Sequence, residues 1–483
     1  MDEVSREYFC QEYLRALEQD SAAIFAGAGL SAPSGFVNWK ELLRDIADEL
    51  GLSVDEESDL ISIAQFHLNK FGSRAKLNST LIDEFTKEAH PGDNHKLIAE
   101  LPFDTVWTTN YDTLLEDAFV NAGKRVDKKT TKANLAQTKL NRDVVIYKMH
   151  GDIDQPQDAV LTKDDYENYN ETRGLFATKL QGDLISRTFL FLGFSFTDPN
   201  IDYILSRIRV LIGQQNQRQH FCIMRRIAKP QPARGKILAQ YEYDKTKQEL
   251  RIADLKRFGI QTVMIDDYSE ITDILRSLHR DVYRRSIFLS GSAHEYDPLG
   301  RGRVDGLTHT LGREIIKRGY NLVSGFGLGI GGTVVLGALE ELYAKNLNIS
   351  VNNRTVIRPF PQVTPNSSNK AALWQRYRED MISRSGFVIF ISGNKLDDAS
   401  GQTVIADGVL EEWRIAKQSG KYPIPIGVSG HAARQIWEEV NLSLSTFFPK
   451  GGVQGHFKIL GDERSSNAEL IEAVFAIIKR ITK

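Results

Sequence analysis

Two glycine-rich turns and a handful of polar residues at strand ends carry the chemistry visible in this chain. Gly27, Gly29 and Ala32 spell G-x-G-x-x-A directly after the apolar run AAIFA (22–26) and before the helical stretch WKELLRDIADEL (39–50). Small residues there let backbone amides approach a pyrophosphate at a helix N-terminus, where unpaired N–H groups and the dipole favour an anion. A dehydrogenase adds an acidic residue at the end of the next strand to hold the ribose diol. The candidates at that distance, Asp48 and Glu49, fall inside a helical run, which disfavours hydride transfer. Further on, TTNYD sets Thr108, Asn110 and Asp112 at one strand terminus, and KMHGD sets His150 before Gly151 at another. Ligands of open α/β sheets lie outside the carboxyl ends of strands, so both groups are expected to face the crevice of the first glycine turn. A second turn, SGFGLGIGG (324–332), again joins strand to helix, and SGSA (290–293) ends the strand before it. Its glycines suit close contact between backbone and phosphate. Arg358, Arg376, Arg378, Arg384 and Lys395 lie on or beside the elements that follow. Arginine forks match phosphate geometry, and Arg378 and Lys395, which flank the strand FVIFIS, are the preferred pair. Glu412, read at the start of a helix, suits either a ribose diol or the helix dipole.

These residues need a scaffold, and the rest of the sequence describes one. The 483 residues suit two or three domains rather than one. Hydrophobic residues make up 41% and charged residues 26%, an ordinary globular balance. Sixty-one basic against 63 acidic side chains leave −2, so no bulk charge draws the chain to nucleic acid or to an anionic membrane. Two cysteines, Cys10 and Cys222, build neither a disulfide framework nor a four-cysteine zinc site, and no metal is expected. The N-terminus lacks the apolar segment of a signal peptide, and no run approaches a membrane span, so a soluble, cytoplasmic protein is expected.

A helix is expected at the N-terminus, and helical pattern dominates 56–89. Strands are read at 104–112, 144–152, 159–165, 188–198 and 220–226, and again near the end of LKRFGIQTVMIDD. Continuous apolar strands alternating with helices indicate a parallel sheet covered on both faces. A second such pattern begins after HRDVYRRS: a strand at 286–293, a strand, glycine-rich loop and helix over 320–344, strands at 354–361 and 387–395, a loop at 364–371, and helices at 374–386 and 408–420. The fold class is α/β with two Rossmann-like domains, each a mainly parallel sheet flanked by helices, divided into 1–283 and 284–483.

GAGLS (27–31), TTNYD (108–112), MHGD (149–152) and GFSFTDPN (193–200), in that order, resemble the sirtuin pattern over about residues 15–275. The resemblance implies a domain that binds NAD as substrate and breaks its nicotinamide–ribose bond. By it, Asn110 sits near the nicotinamide-side ribose with Asp112 as the neighbouring carboxylate, and His150 is the catalytic histidine. Ala26, Gly27, Gly29, Ser31, Gly193 and Ser195 complete the NAD contacts it implies. Thr109 stands where deacylating sirtuins carry glutamine, and their paired CxxC zinc module is absent, which makes water the expected acceptor in place of an acyl-peptide.

The second half resembles the SLOG family of nucleotide-sensing domains, with Gly291, Ser292, Gly325, Phe326 and Gly327 in its binding loops. The PGGxGTxxE signature of the related phosphoribohydrolases is only partly matched by 329–341, so ligand binding is expected rather than hydrolysis. A sirtuin-like domain followed by a SLOG domain is similar to the NAD-consuming effectors of Thoeris anti-phage defence. RYREDM, SGNK and GVLEEW are similar to the segments that hold the signal there, which gives Arg378, Lys395 and Glu412 that role. The resemblance implies a homotetramer activated by a cyclic ADP-ribose isomer that a TIR-domain partner makes. Two alternatives stand beside it, an NAD-dependent protein deacylase and a non-enzymatic nucleotide sensor.

Overall fold

The long apolar runs of the first half assemble side by side. In a computed structural model, which describes residues 3–482 apart from 58, 197, 214–215, 232–233, 345–353, 362–369, 398 and 450, the chain divides into two units, Met1–His279 and Arg280–Lys483. Among the described residues the N-terminal unit carries β1 (Glu3–Val4), β2 (Ala22–Ala26), β3 (Thr105–Thr108), β4 (Val126–Lys129), β5 (Val144–Lys148), β6 (Thr188–Leu192), β7 (His220–Arg225) and β8 (Ile260–Ile265). They form one sheet in the order β1-β8-β7-β6-β2-β3-β5-β4, and every pairing is parallel. Central strands such as AAIFA and TFLFL are buried at every position, as a sheet covered on both faces requires. Helices Arg6–Glu18, Tyr169–Ser186, Pro199–Ile212 and Gly235–Arg257 are among those joining the strands.

Three local readings change. Residues 159–162 join no ladder, and Lys163–Glu167 is helical. Thr162 and Asp165 cap that helix reciprocally, a start signal hidden inside an apolar run. The short edge strands β1 and β4 gave no apolar pattern to read. In the second half, the strand read over 387–395 breaks at Ser392 and Gly393, whose φ of 53° and 94° turn the chain.

The C-terminal unit carries β9 (Ser286–Ser292), β10 (Asn321–Ser324), β11 (Thr355–Ile357), β12 (Phe387–Ser392), β13 (Asn394–Leu396), β14 (Thr403–Ile405) and β15 (Tyr422–Pro425) among its described residues. Five make a parallel sheet, β11-β10-β9-β12-β15, and β13 pairs with β14 as an antiparallel ribbon. The loop read at 364–371 lies outside the described residues as far as 369.

Helices Arg301–Lys317 and Gly331–Ala344 pack against each other through glycine. A Cβ on Gly312 would stand 2.0 Å from the Val334 carbonyl oxygen, and one on Gly337 2.0 Å from that of His309. Neither carbonyl can yield without moving a whole helix. Gly312→Ala is therefore expected to destabilise the protein by about 1–3 kcal/mol through overpacking. Thermal unfolding of the full chain would show this as a lowered melting transition; an unchanged one would contradict the packing.

Candidate functional site

In the N-terminal sheet, β2 and β6 are neighbours whose onward connections leave in opposite directions, to β3 and to β7. A crevice opens at such a reversal, beyond the carboxyl ends of the strands. The turns after β2 and β6 meet there backbone against backbone. Gly27 N–H donates to the Leu192 carbonyl (2.8 Å) and Gly29 N–H to that of Gly193 (3.0 Å). A Cβ on Gly27 would stand 2.4 Å from the Gly193 oxygen, and one on Gly193 2.3 Å from the Leu30 nitrogen. Gly193 also holds a φ of 62°. The glycines thus permit the approach of two loops. The glycine turn runs into a single helical turn, Ala28–Ser31, and a tighter one at Ala32–Ser34, and the helical stretch read at 39–50 follows as Trp39–Leu42 and Arg44–Leu50.

A cavity of about 640 Å³ occupies the crevice. Gly29, Ser31, Asn110, Asp112, His150, Gly193 and Ser195 all line it, with Thr109 beside them. Ala26 ends β2, fully buried, and Gly27 supplies a carbonyl behind the wall. Asn110 is buried, and its Nδ2 donates to that carbonyl (3.2 Å) and to Ser31 Oγ (3.0 Å). A carbonyl can only accept, so the amide's orientation is fixed. Its Oδ1 is buried and has no partner among the described residues. Such an acceptor is costly to leave unmade and is poised for a hydroxyl or a water. Asp112, also buried, accepts from Leu114 N–H (3.1 Å).

His150 faces a residue that sequence reasoning passed over. Its Nε2 lies 3.1 Å from Asp198 Oδ2, an ion-pair distance without the alignment of a hydrogen bond. The other oxygen, Oδ1, accepts from the amides of Asn200 (2.9 Å) and Ile201 (3.2 Å) and caps helix Pro199–Ile212. Burial alone would raise the Asp198 carboxyl, but the imidazole and the two amides outweigh it and hold the group below its ordinary range. The carboxylate is thus ionised beside the His150 imidazole. The signal lay in DPN, an acidic N-cap before proline at the first helical position. The remaining wall is mostly apolar and includes Phe36, Trp39, Phe85, Tyr166 and Phe194 beside aliphatic residues, with Asn38 and Asp59 as its polar members.

The C-terminal sheet reverses between β9 and β12. A Cβ on Gly291 would stand 2.4 Å from the Ile391 oxygen, and one on Gly327 2.0 Å from that of Gly291, so the glycine loop lies directly on the end of β9. Ser292 Oγ donates to the Asn394 carbonyl (2.9 Å). A Cβ on Gly325 would meet the Phe360 ring at 2.8 Å, and Phe326 holds a φ of 55° with its side chain half exposed.

Here the structure brings Arg378 and Glu412 together, with Nε and Oε1 3.8 Å apart, both largely buried. The Arg378 guanidinium lies over the rings of Phe360 (5.2 Å) and Trp374 (5.8 Å), and its Nε has no hydrogen-bond partner among the described residues. Glu412 does not open its helix: Asp407 occupies the first turn of Asp407–Gln418, and Glu412 follows in the second, accepting from Ser290 Oγ (2.5 Å). Lys395 is held by that Asp407 (2.5 Å). Arg358 (3.5 Å) and Arg384 (2.8 Å) pair with Asp380, and Arg376 is exposed on helix Lys370–Ser383. Among the described residues no group of three or more His, Cys, Asp or Glu is placed to hold a metal ion, and no helix is long and apolar enough to cross a membrane.

Comparison with known proteins follows the same division. A SIR2-like domain model matches residues 104–245, and the model of the Sir2- and TIR-associating SLOG family matches residues 270–481. The chain is 43% identical to NAD(+) hydrolase ThsA of Bacillus cereus (strain MSX-D12) over 473 residues, 98% of this chain and 97% of that one. It is 41% identical to NAD(+) hydrolase ThsA of Acinetobacter baumannii (strain 532279) over 487 residues, the whole of both chains. With Defense-associated sirtuin 2 of Bacillus subtilis it shares 26% over 274 residues, 55% of this chain and 26% of that protein.

Burial pushes the Glu412 carboxyl up to about 7, against the pull of Ser290 and Arg378. An acid raised on folding stabilises the native state least where only the unfolded chain is ionised. Stability from this group is therefore lost as pH rises from about 4.5 to about 7 and stays lost above. Glu412→Gln is expected to remove that component. Its melting temperature relative to wild type should be higher at pH 8 than at pH 5, and a pH-independent difference would contradict the assignment.

Proposed function

We propose that this chain, which belongs to the NAD(+) hydrolase ThsA family, hydrolyses NAD+ to ADP-ribose and nicotinamide in the cavity between β2 and β6. The observation that carries the reading is the Asn110 carboxamide, locked by two acceptors, with its carbonyl oxygen unpaired in a cavity that also holds His150 and an ionised Asp198.

Nicotinamide leaves as a neutral base when the C1′–N bond breaks with both electrons going to nitrogen, so the departure needs no acid. The site must instead orient the ribose and tolerate an oxocarbenium ion. Asn110 Oδ1 accepts from a ribose hydroxyl or from the attacking water. His150 takes the proton that water loses as it adds to C1′, and the Asp198 carboxylate stabilises the resulting imidazolium. Gly29, Ser31, Gly193 and Ser195 line the space left for the diphosphate and the second ribose. With Thr109 in place of glutamine and two cysteines in the whole sequence, water rather than an acylated lysine is the acceptor.

The C-terminal unit acts as the switch of an anti-phage effector. Its ligand is a cyclic ADP-ribose isomer made by a TIR-domain partner, a reading supported by the name of the matching SLOG family. Arg378 and Lys395 face the diphosphate and Glu412 a ribose, with Gly291, Ser292, Gly325, Phe326 and Gly327 forming the wall. A shift from 1:99 to 99:1 between resting and active states takes roughly 5.5 kcal/mol of differential affinity. Several sites in a cytoplasmic homotetramer share that requirement.

Asn110→Ala and His150→Ala are each expected to lower nicotinamide release by about 10²–10⁴ with the circular dichroism of the wild type. Near-normal rates in both folded variants would overturn the assignment. Arg378→Ala is expected to leave ADP-ribose binding at the catalytic cavity intact while abolishing the rate increase produced by a panel of cyclic ADP-ribose isomers. A wild-type response in that variant would place the switch elsewhere.

A further inference from the structure

Behind the wall of the catalytic cavity lies a charged side chain that the reaction itself does not use. Lys148, the last residue of β5, is fully buried. Its ammonium donates to the carbonyls of Asp112 (2.5 Å) and Tyr111 (3.1 Å). It also stands 2.6 Å from Asp152 Oδ2 and 3.0 Å from Glu116 Oε1. A bare ammonium in a protein interior is costly; here two carbonyls accept its hydrogen bonds, and Asp152 and Glu116 stand at ion-pair distance without hydrogen-bond alignment.

The positions of these partners give the cluster its meaning. Tyr111 and Asp112 directly follow Asn110 on the turn after β3. Asp152 lies two residues beyond His150 on the turn after β5, and Lys148 lies two residues before it. Between the two turns, Met149 N–H donates to the Thr108 carbonyl (3.1 Å) and Ile153 N–H to that of Tyr111 (3.2 Å). Gly151 (φ 99°) bends the second turn. Glu116 extends the cluster to helix Leu114–Asn121, which follows the first turn. One ammonium is therefore bonded to both turns that carry the proposed catalytic pair, from the side opposite the substrate.

We propose that Lys148 is a positioning residue for NAD+ cleavage, fixing the turn that carries Asn110 against the turn that carries His150 through the carbonyls of Tyr111 and Asp112 and the carboxylate of Asp152. The inference rests on the reading of Asn110 and His150 as the reacting pair. Lys148 is not itself among the residues lining the cavity and reaches its wall only through the main-chain carbonyls of Tyr111 and Asp112, so the glycine turns and the aromatic side chains that face the substrate are left in place without it. Its removal therefore acts on the alignment of the pair, and a displacement near 1 Å at reacting groups is worth about 10²-fold in rate.

Lys148→Met alone leaves Glu116 without a cation and Asp152 with Lys128 only (3.2 Å), and its failure to fold would be uninformative. Lys148→Met combined with Glu116→Gln and Asp152→Asn neutralises the cluster, a replacement that buried ion networks often tolerate. Two measurements on the full-length triple variant test the proposal. Hydrogen–deuterium exchange, which needs no turnover, is expected to show faster exchange at 109–113 and 149–153 with protection of β2 and β6 unchanged. Nicotinamide release, with the cyclic ADP-ribose isomer that gives wild type its highest rate, is expected to show kcat at least about 100-fold lower and KM within about threefold. Unchanged exchange in both turns, or a kcat within about threefold of wild type in the folded variant, would overturn the positioning role. If exchange rises as expected while Asn110→Ala and His150→Ala remain fully active, the positioning stands and the catalytic reading fails.

Discussion

The N-terminal unit depends on one close approach: the turn after β2 lying on the turn after β6 with no side chain between them. Three glycines make it possible, and the bonds from Gly27 to Leu192 and from Gly29 to Gly193 hold it. Because β2 and β6 send their connections in opposite directions, this contact sits at the floor of the crevice rather than at an edge. Asn110 is aligned by it, since the carbonyl that orients its amide belongs to Gly27. Asp198 is placed by it as well, five residues beyond Gly193 on the same turn. A side chain at any of the three positions would push apart the two loops beside which Asn110 and Asp198 are set.

The sequence was most legible where a single rule controlled the outcome. Strands buried on both faces had to be continuously apolar, so β2, β3, β5, β6, β9 and β12 stood out. The short edge strands β1 and β4 and the ribbon β13–β14 did not, because partial exposure relaxes that composition. The 159–165 segment misled for a related reason: AVL reads as a strand, while the cap formed by Thr162 and Asp165 is local and polar. Glycines and polar residues at strand ends pointed to the crevice because topology forces such ends together. What those residues bond to was hidden, since Asp198 reaches His150 and Lys148 reaches Tyr111 and Asp112 across gaps in sequence that carry no spacing signal.

The two crevices share a topology and differ in how they treat a buried acid. Asp198 begins a helix, so two backbone amides and an imidazole favour its charge. Glu412 lies in the second turn of its helix, where those amides are already committed, and a hydroxyl and an arginine at 3.8 Å do not overcome burial. The first environment keeps a carboxylate ionised beside a proton acceptor. The second leaves an acid that changes charge around pH 7, where a neighbouring hydroxyl or charge is enough to tip it in either direction.

The glycine contacts between helices Arg301–Lys317 and Gly331–Ala344 bear on the second crevice through the loop that precedes the latter helix. With Gly312 against Val334 and Gly337 against His309, that helix has no room to slide or to roll, and the loop from Gly325 to Gly331 is anchored at its far end as firmly as at β10. Ordering of this wall is thus completed during folding. A ligand of the kind proposed for this unit would meet a shape already made and forfeit little loop entropy on binding, so its selection would fall to fit rather than to closure.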